Sequence, residues 1–358
     1  MNEKILLTGG GTAGHCTPNL ALIPYLEKRG CEVVYVGTKN GIEREIITEA
    51  GIKYYPISAG KLRRYFSLKN FSDPFKIIAG YFQAKKIMKA EKPALVFSKG
   101  GFVTVPVVFA AKSKKIPVVL HESDYTPGLA NRLCIPKASR VCVSFEATQK
   151  HIEGEKSVVT GAPVRRELLS GDRQKGLDFL GLSGKKPVLL IMGGSLGAQA
   201  VNEAVDASID ELLKNFEIAH IRGKGKLNPD INKEGYVQFE YISEELPDVF
   251  AAADMMLSRA GANAIFEILA LGLPALLVPL PAASSRGDQV LNAGYFEKKG
   301  YSMVLDQENI TPKTLLNSLL ELEKRAPELR ANMKDSGMTD GANNVAQVIF
   351  SVLDAKEG

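Results

Sequence analysis

The chain has no tryptophan, and only four cysteines and four histidines in 358 residues. Cys16, Cys31, Cys134 and Cys142 form no Cys-x-x-Cys pair and lie in apolar or helical contexts. That argues against a disulfide framework or a thiolate zinc site and predicts the reduced, buried thiols of a cytosolic protein. The histidines are scattered, without metal-ligand spacing. No apolar run approaches the roughly 20 residues that a membrane-spanning helix needs. There is no low-complexity tract, which excludes disordered and fibrous classes. The opening Met1-Asn2-Glu3-Lys4 runs into a β-rich stretch and is not expected to be a signal peptide. No Asp-x-Asp occurs, so the acidic pair that would hold a divalent metal on a diphosphate is missing. A net charge of +5 is modest for this length, and no nucleic-acid partner is expected.

What is present is a repeating alternation. The length predicts two domains. Lys4 to Thr8 reads as a strand, Gly9-Gly10-Gly11-Thr12-Ala13-Gly14-His15 as a loop, and the following apolar stretch as a helix. Strands are expected at 32–37, 54–57, 94–97, 118–120 and 141–143. Gly161-Ala162-Pro163 breaks the rhythm and reads as a linker. The programme then restarts. Pro187 to Met192 is a strand, Gly193-Gly194-Ser195-Leu196-Gly197-Ala198 a loop, and Gln199 to Leu213 a helix. Further strands are expected at 218–221, 237–239, 255–257 and 275–278. Alternating strands and helices predict parallel sheets with right-handed crossovers. The fold class expected is α/β, with two Rossmann-like doubly wound domains facing across a cleft. The boundaries expected are 1–162 and 163–340, with an amphipathic helix at about 341–358 that could close either domain, packing back on the first being one option. Ligands would bind at the carboxyl ends of the strands.

The stretch Ser258 to Asn292 carries the densest signal. A short apolar strand ends in Arg259-Ala260-Gly261-Ala262, whose side chains after Arg259 are nearly absent. A helix starting there presents N–H groups and a positive dipole end, which suits a diphosphate. Glu267 lies deeper, where a carboxylate accepts hydrogen bonds from the two hydroxyls of a ribose. An ordinary β-turn-α unit with an exposed glutamate is the plain alternative. Gly9, Gly11 and Gly14 fit G-x-G-x-x-G, but the second strand ends Val36-Gly37-Thr38 without the carboxylate that an NAD site wants. What stays is a loop that lets an anion approach the backbone. His15 closes that loop, and an imidazole with an ordinary pKa near 6.5 suits proton removal from a hydroxyl. Ser195 is no nucleophile elbow, since Gly-x-Ser-x-Gly is absent there; a phosphate-contacting hydroxyl fits better. Lys61 to Phe71 mixes Lys61, Arg63, Arg64 and Lys69 with Tyr65, Phe66 and Phe71, and Phe75, Ile77, Ile78, Tyr81 and Phe82 follow. This reads either as a loop and a core helix or as an interfacial patch for an anionic membrane.

Together these motifs resemble the MurG family of peptidoglycan glycosyltransferases. The resemblance covers nearly the whole chain. Besides the glycine loops it rests on Lys99-Gly100-Gly101-Phe102, His121-Glu122-Ser123-Asp124, Pro127-Gly128-Leu129-Ala130-Asn131, Gly161-Ala162-Pro163-Val164-Arg165 and Asn202. It implies a glycosyltransferase fold of the B type, no cofactor, no metal, and inverting transfer of N-acetylglucosamine from UDP-N-acetylglucosamine. The acceptor implied is the C4 hydroxyl of undecaprenyl-pyrophosphoryl-N-acetylmuramyl-pentapeptide. By that likeness the first domain takes the acceptor and the membrane, and the second takes the donor. Ile242 meets the uracil through its backbone, and Glu267 holds the ribose. Ser195 and Ala262, Asn263 and Ala264 meet the phosphates, while Asp288 and Gln289 read the sugar. Arg165 also reaches the donor. Thr12, Ala13, Gly14 and His15 close over the sugar, with Asp124 beside them and His15 as base. The implied location is the cytoplasmic face of the plasma membrane. Ala264 replaces a threonine common in the family, and Asp124 an asparagine. The alternatives are another UDP-sugar transferase of this fold with a lipid acceptor such as diacylglycerol, and a non-enzymatic UDP-sugar-binding or scaffold subunit.

Overall fold

The computed structural model describes residues 3–60, 69–194, 197–284 and 287–357, with only the backbone described for 13, 69–72, 284, 356 and 357. The chain divides into two compact units, residues 1–165 with 340–358, and residues 166–339.

The first unit holds a seven-stranded sheet: β1 (Lys4–Thr8), β2 (Glu32–Thr38), β3 (Lys53–Ile57), β4 (Leu95–Ser98), β5 (Val118–Glu122), β6 (Arg140–Val143) and β7 (Ser157–Val159). The spatial order is β3-β2-β1-β4-β5-β6-β7, and every pairing is parallel. Its central strands are near-continuous apolar runs, because helices cover both faces. Ile5, Leu7 and Phe97 face one core, and Leu6, Val96 and Leu120 the other. The helix Gly341–Glu357 completes the first of these cores. Ala342, Val345, Ile349 and Leu353 recur at helical spacing and are buried with Ile5 and Leu7.

The second unit repeats the plan with β8 (Val188–Met192), β9 (Glu217–Ile221), β10 (Tyr236–Phe239), β11 (Met255–Ser258), β12 (Ala275–Leu277) and β13 (Met303–Val304). The order is β10-β9-β8-β11-β12-β13, again all parallel. In each sheet the strand order reverses beside the first strand, between β1 and β4 and between β8 and β11. Such a reversal opens a crevice at the carboxyl ends of those strands.

Several details differ from the sequence reading. The stretch expected as one helix from Gln199 to Leu213 is two helices, Gln199–Asp206 and Ile209–Asn215. The Ser208 hydroxyl donates to the Ala204 carbonyl at 2.6 Å, and such back-bonding competes with the helix ladder. The strands β7 and β13 were not expected, being edge strands of three and two residues, too short to show a period. Residues 161–163, expected as a linker, are buried in the first unit. His121 Nε2 meets the Gly161 carbonyl at 2.9 Å, and a side chain at Gly341 would run into the Ala162 carbonyl.

Candidate active site

In the first unit the crevice is built by the loops after β1 and β4. Gly101 has φ +91°, and a Cβ there would run into the Gly10 carbonyl. The two backbones therefore touch, and only glycine permits it. Ala13–His15 forms a 3-10 turn closed by His15 N–H donating to the Thr12 carbonyl at 3.1 Å. Thr12 Oγ1 lies 2.7 Å from His15 Nδ1. Where Nδ1–H donates to that hydroxyl, the lone pair sits on Nε2, which is the tautomer a base needs. Thr12 is exposed and His15 half-buried, so this face is open to a ligand. Asp124 is half-buried in the turn after β5, and its N–H donates to Glu122 Oε1 at 2.9 Å. Cys16, next to His15, is buried, and burial pushes its thiol up to about 12. It is an inert core residue.

In the second unit the crevice lies between the loops after β8 and β11. Gly193 and Gly194 follow β8; Ser195 falls outside the described residues. The helix Ala262–Leu271 starts at Gly261, whose lack of a side chain leaves the helix end uncapped. Its first intrahelical bond is Ile265 N–H to the Gly261 carbonyl at 3.1 Å. The N–H groups of Ala262, Asn263 and Ala264 therefore sit at the positive end of a ten-residue helix. Ile265, Phe266, Ile268 and Leu269 bury the other side, and Gly272 ends the helix in the left-handed conformation. Glu267 is half-buried one turn beyond. Gln289, in the first turn of the helix Asp288–Lys298, accepts from Leu280 N–H through Oε1 at 2.9 Å. That bond fixes the amide orientation and holds the loop after β12. Ile242 is buried. Arg165 is half-buried at the end of the first unit. The patch residues Lys61, Arg63, Arg64, Tyr65 and Phe66 lie outside the described residues, and of Lys69 and Phe71 only the backbone is described. Among the described residues no cluster of three or more His, Cys, Asp or Glu could hold a metal ion.

The comparisons with known proteins bear on this arrangement. Residues 5–143 match the glycosyltransferase family 28 N-terminal domain, and residues 188–348 the glycosyltransferase family 28 C-terminal domain. Over 348 residues the chain is 57% identical to the UDP-N-acetylglucosamine--N-acetylmuramyl-(pentapeptide) pyrophosphoryl-undecaprenol N-acetylglucosamine transferase of Clostridium botulinum (strain Loch Maree / Type A3), covering 97% of this chain and 98% of that one. The chain belongs to glycosyltransferase family 28. A relative with the same name from Clostridium tetani (strain Massachusetts / E88) is 53% identical over 350 residues, 98% of each chain. The crystal structure of Acinetobacter baumannii MurG superposes with a TM-score of 0.77 at 26% identity, covering 98% of this chain and 99% of that one. The calicheamicin glycosyltransferase CalG4 shares the fold at a TM-score of 0.71 and 16% identity, with full coverage of both chains.

Three supports of this family-28 site were not found from the sequence. Glu43 is fully buried; it accepts from Thr38 N–H at 3.0 Å, Thr38 Oγ1 at 2.6 Å and Gly11 N–H at 3.3 Å. A carboxylate thus does stand beside the end of β2, and it holds the glycine loop. The signal was available in Glu43, close after Thr38. In the second unit Arg222 forks onto Asp206 at 2.6 and 2.8 Å. Asn202, read as part of a motif, bridges the Arg222 carbonyl at 3.1 Å and His220 Nε2 at 3.0 Å. Burial, with Arg222 adding to it, holds His220 down to about 3, so it is neutral. Arg259 donates to the Val278 carbonyl at 3.1 Å and to Gln307 Oε1 at 2.7 Å, tying the turn before the helix to the loops after β12 and β13. Nothing in local sequence pattern announces these partners.

Proposed function

We infer that this chain transfers N-acetylglucosamine from UDP-N-acetylglucosamine to the C4 hydroxyl of undecaprenyl-pyrophosphoryl-N-acetylmuramyl-pentapeptide, with inversion at the anomeric carbon. Its near full-length likeness to curated transferases of that name carries the reading. The geometry is consistent with it. The uncapped end of the helix Ala262–Leu271 supplies N–H donors and a dipole for the diphosphate. Glu267 takes the ribose, the backbone of Ile242 the uracil, and Asp288 and Gln289 the sugar. Ser195 and Arg165 complete the donor set. The acceptor hydroxyl loses its proton to His15 Nε2, and its oxygen pair forms the new bond at the anomeric carbon. The bond to UDP breaks with its electron pair on the diphosphate, where the helix end stabilises the charge. Thr12, Ala13 and Gly14 shape the loop around the sugar.

The first unit carries the acceptor side and the membrane contact, at the cytoplasmic face. Among the described residues no helix is long and apolar enough to cross a membrane. The support is an outward apolar stripe on the helix Lys69–Glu91, with Phe75, Ile78 and Phe82 at 74%, 55% and 63% exposed. Labelled UDP-N-acetylglucosamine offered with the lipid-linked acceptor and, separately, with diacylglycerol tests the function. Turnover of the first alone is expected; turnover of diacylglycerol alone would replace the reading. His15→Ala should lower kcat by on the order of 100-fold or more while donor affinity changes little. A kcat near that of the unaltered chain would remove His15 from the mechanism.

A further inference from the structure

The loop that carries His15 has its two ends tied to two buried polar side chains. Asn19 belongs to the short helix Thr17–Leu20 and Tyr35 to the middle of β2, and both are fully buried. Asn19 Nδ2 donates to the Tyr35 hydroxyl oxygen at 2.9 Å and to the His15 carbonyl at 3.3 Å. The Tyr35 hydroxyl in turn donates to the Gly9 carbonyl at 2.9 Å. Gly9 and His15 are the first and last residues of the glycine loop. A Cβ at Gly9 would lie 2.2 Å from the His15 carbonyl oxygen, so the two ends of the loop are pressed together. Asn19 and Tyr35 thus form a clasp across both ends, while Glu43 holds Gly11 N–H between them.

Donor and acceptor roles in this clasp follow from the groups present. Tyr35 has one hydroxyl hydrogen, and burial pushes that hydroxyl well above its ordinary range, so the hydrogen stays. It goes to the Gly9 carbonyl, and the Tyr35 oxygen therefore accepts from Asn19. Asn19 turns its amide hydrogens to Tyr35 and His15 and leaves Oδ1 without a donor among the described residues. Turning the amide over would set Oδ1 against the His15 carbonyl, acceptor against acceptor. A buried acceptor without a partner costs stability, whereas apolar side chains of the same shape in this core of Ile5, Leu7 and Leu22 would avoid the cost. What the polar pair does, and an apolar pair would not, is to grip one carbonyl at each end of the loop. Thr12 Oγ1 meets His15 Nδ1 at 2.7 Å, so the clasp holds the His15 backbone and Thr12 its ring. The Tyr35 ring also stacks on Tyr54, with centroids 5.9 Å apart, so the ring has a place of its own without the hydroxyl.

We propose that Asn19 and Tyr35 are positioning residues for the transfer: through the His15 and Gly9 carbonyls they hold the loop so that the His15 imidazole meets the acceptor hydroxyl. The inference rests on the transferase reading with His15 as base. Its test is kcat, with donor affinity measured separately, for the unaltered chain, Tyr35→Phe, Asn19→Ala, His15→Ala, and Tyr35→Phe with His15→Ala. Tyr35→Phe removes one oxygen and leaves the ring on Tyr54. It should lower kcat by on the order of 10- to 100-fold, the cost of misplacing a reacting group by about 1 Å. Donor affinity should change little, and Asn19→Ala should show the same split. In the His15→Ala background, Tyr35→Phe should cost no more than about twofold, because the group it positions is gone. An equal loss in both backgrounds overturns the inference, and so does a loss of donor affinity with kcat kept. Urea unfolding separates positioning from loss of structure. If Asn19→Ala does not fold, Tyr35→Phe decides alone. If Tyr35→Phe does not fold, its hydroxyl serves the whole unit and the inference is overturned. An unaltered chain that does not turn over the lipid-linked acceptor brings down the transferase reading and this inference together. Turnover with a loss from His15→Ala and an additive loss from Tyr35→Phe brings down this inference alone.

Discussion

Glu267 shows how much one side chain in this site has to do. It lies half-buried in the helix, one turn past the N–H groups of its first turn, and in the proposed function its carboxylate takes the ribose while those groups take the diphosphate. Charge-assisted hydrogen bonds contribute roughly 1.5–3 kcal/mol. Glu267→Ala should therefore weaken UDP and UDP-N-acetylglucosamine alike by about 10- to 150-fold, read by calorimetry. Glu267→Gln should lose less, since one acceptor remains. A 2′-deoxyuridine donor should bind the unaltered chain worse than the normal donor, and the Ala variant about equally. Equal discrimination by both proteins would place the ribose elsewhere. The glycine turns, and the places of His15 and Glu267 on the loop and helix that follow them, were legible in the sequence because they follow from nearest neighbours along the chain. Glu43 and Tyr35 were not. Glu43 reaches back 32 residues to Gly11, and Tyr35 back 26 to Gly9. Those pairings are set by strand order, which one sequence read alone does not provide.

Among the elements, the helix Gly341–Glu357 best shows what the sequence could and could not give. Its amphipathic period was readable, but its place was not certain, because an apolar stripe matches any apolar groove. In the structure it returns from the end of the chain to the first unit, where Ile349 is fully buried among Ile5, Leu7 and Phe97. The strands were legible for the same reason that they are stable: β-branched, apolar runs buried on both faces. The edge strands and the break at Ser208 were not, because they follow from hydrogen bonds rather than from hydrophobic period. Ile349→Ala should cost the first unit about 2–5 kcal/mol, the range for deleting a buried aliphatic side chain. Two units need not unfold together, so the measurement is a urea titration followed by hydrogen exchange in each unit. Loss of protection should be confined to the first sheet and its helices. Loss confined to residues 166–339 would show that the helix does not stabilise the unit it packs on.

On the scale of the whole molecule the proposed function asks how the chain, among whose described residues no helix is long and apolar enough to cross a membrane, would reach a lipid-linked acceptor. The helix Lys69–Glu91 answers from its two faces. Asp73, Gly80, Ala84 and Met88 turn inward, and Phe75, Ile78 and Phe82 outward. An ordinary solvated face would carry polar residues at those positions. The cations on and around it differ in freedom. Lys76 pairs with Asp73 at 3.2 Å, and Lys85 lies 5.3 Å from the centre of the Tyr81 ring, while Lys86 is exposed. Arg63, Arg64 and Lys69 add charge just before the stripe. Each cation near an anionic surface contributes roughly 1 kcal/mol, so reversing Arg63, Arg64 and Lys69 to Glu should lower partition onto anionic vesicles by on the order of 100-fold or more. High salt should imitate that loss, since the charges act across water. Phe75→Ser with Phe82→Ser should instead weaken binding at every salt concentration, because buried apolar area is not screened. Co-sedimentation with vesicles of mixed anionic and neutral lipid reads both effects. If the charge-reversed and the serine variants both sediment like the unaltered chain, this helix does not face the membrane, and another surface must bring the acceptor to His15.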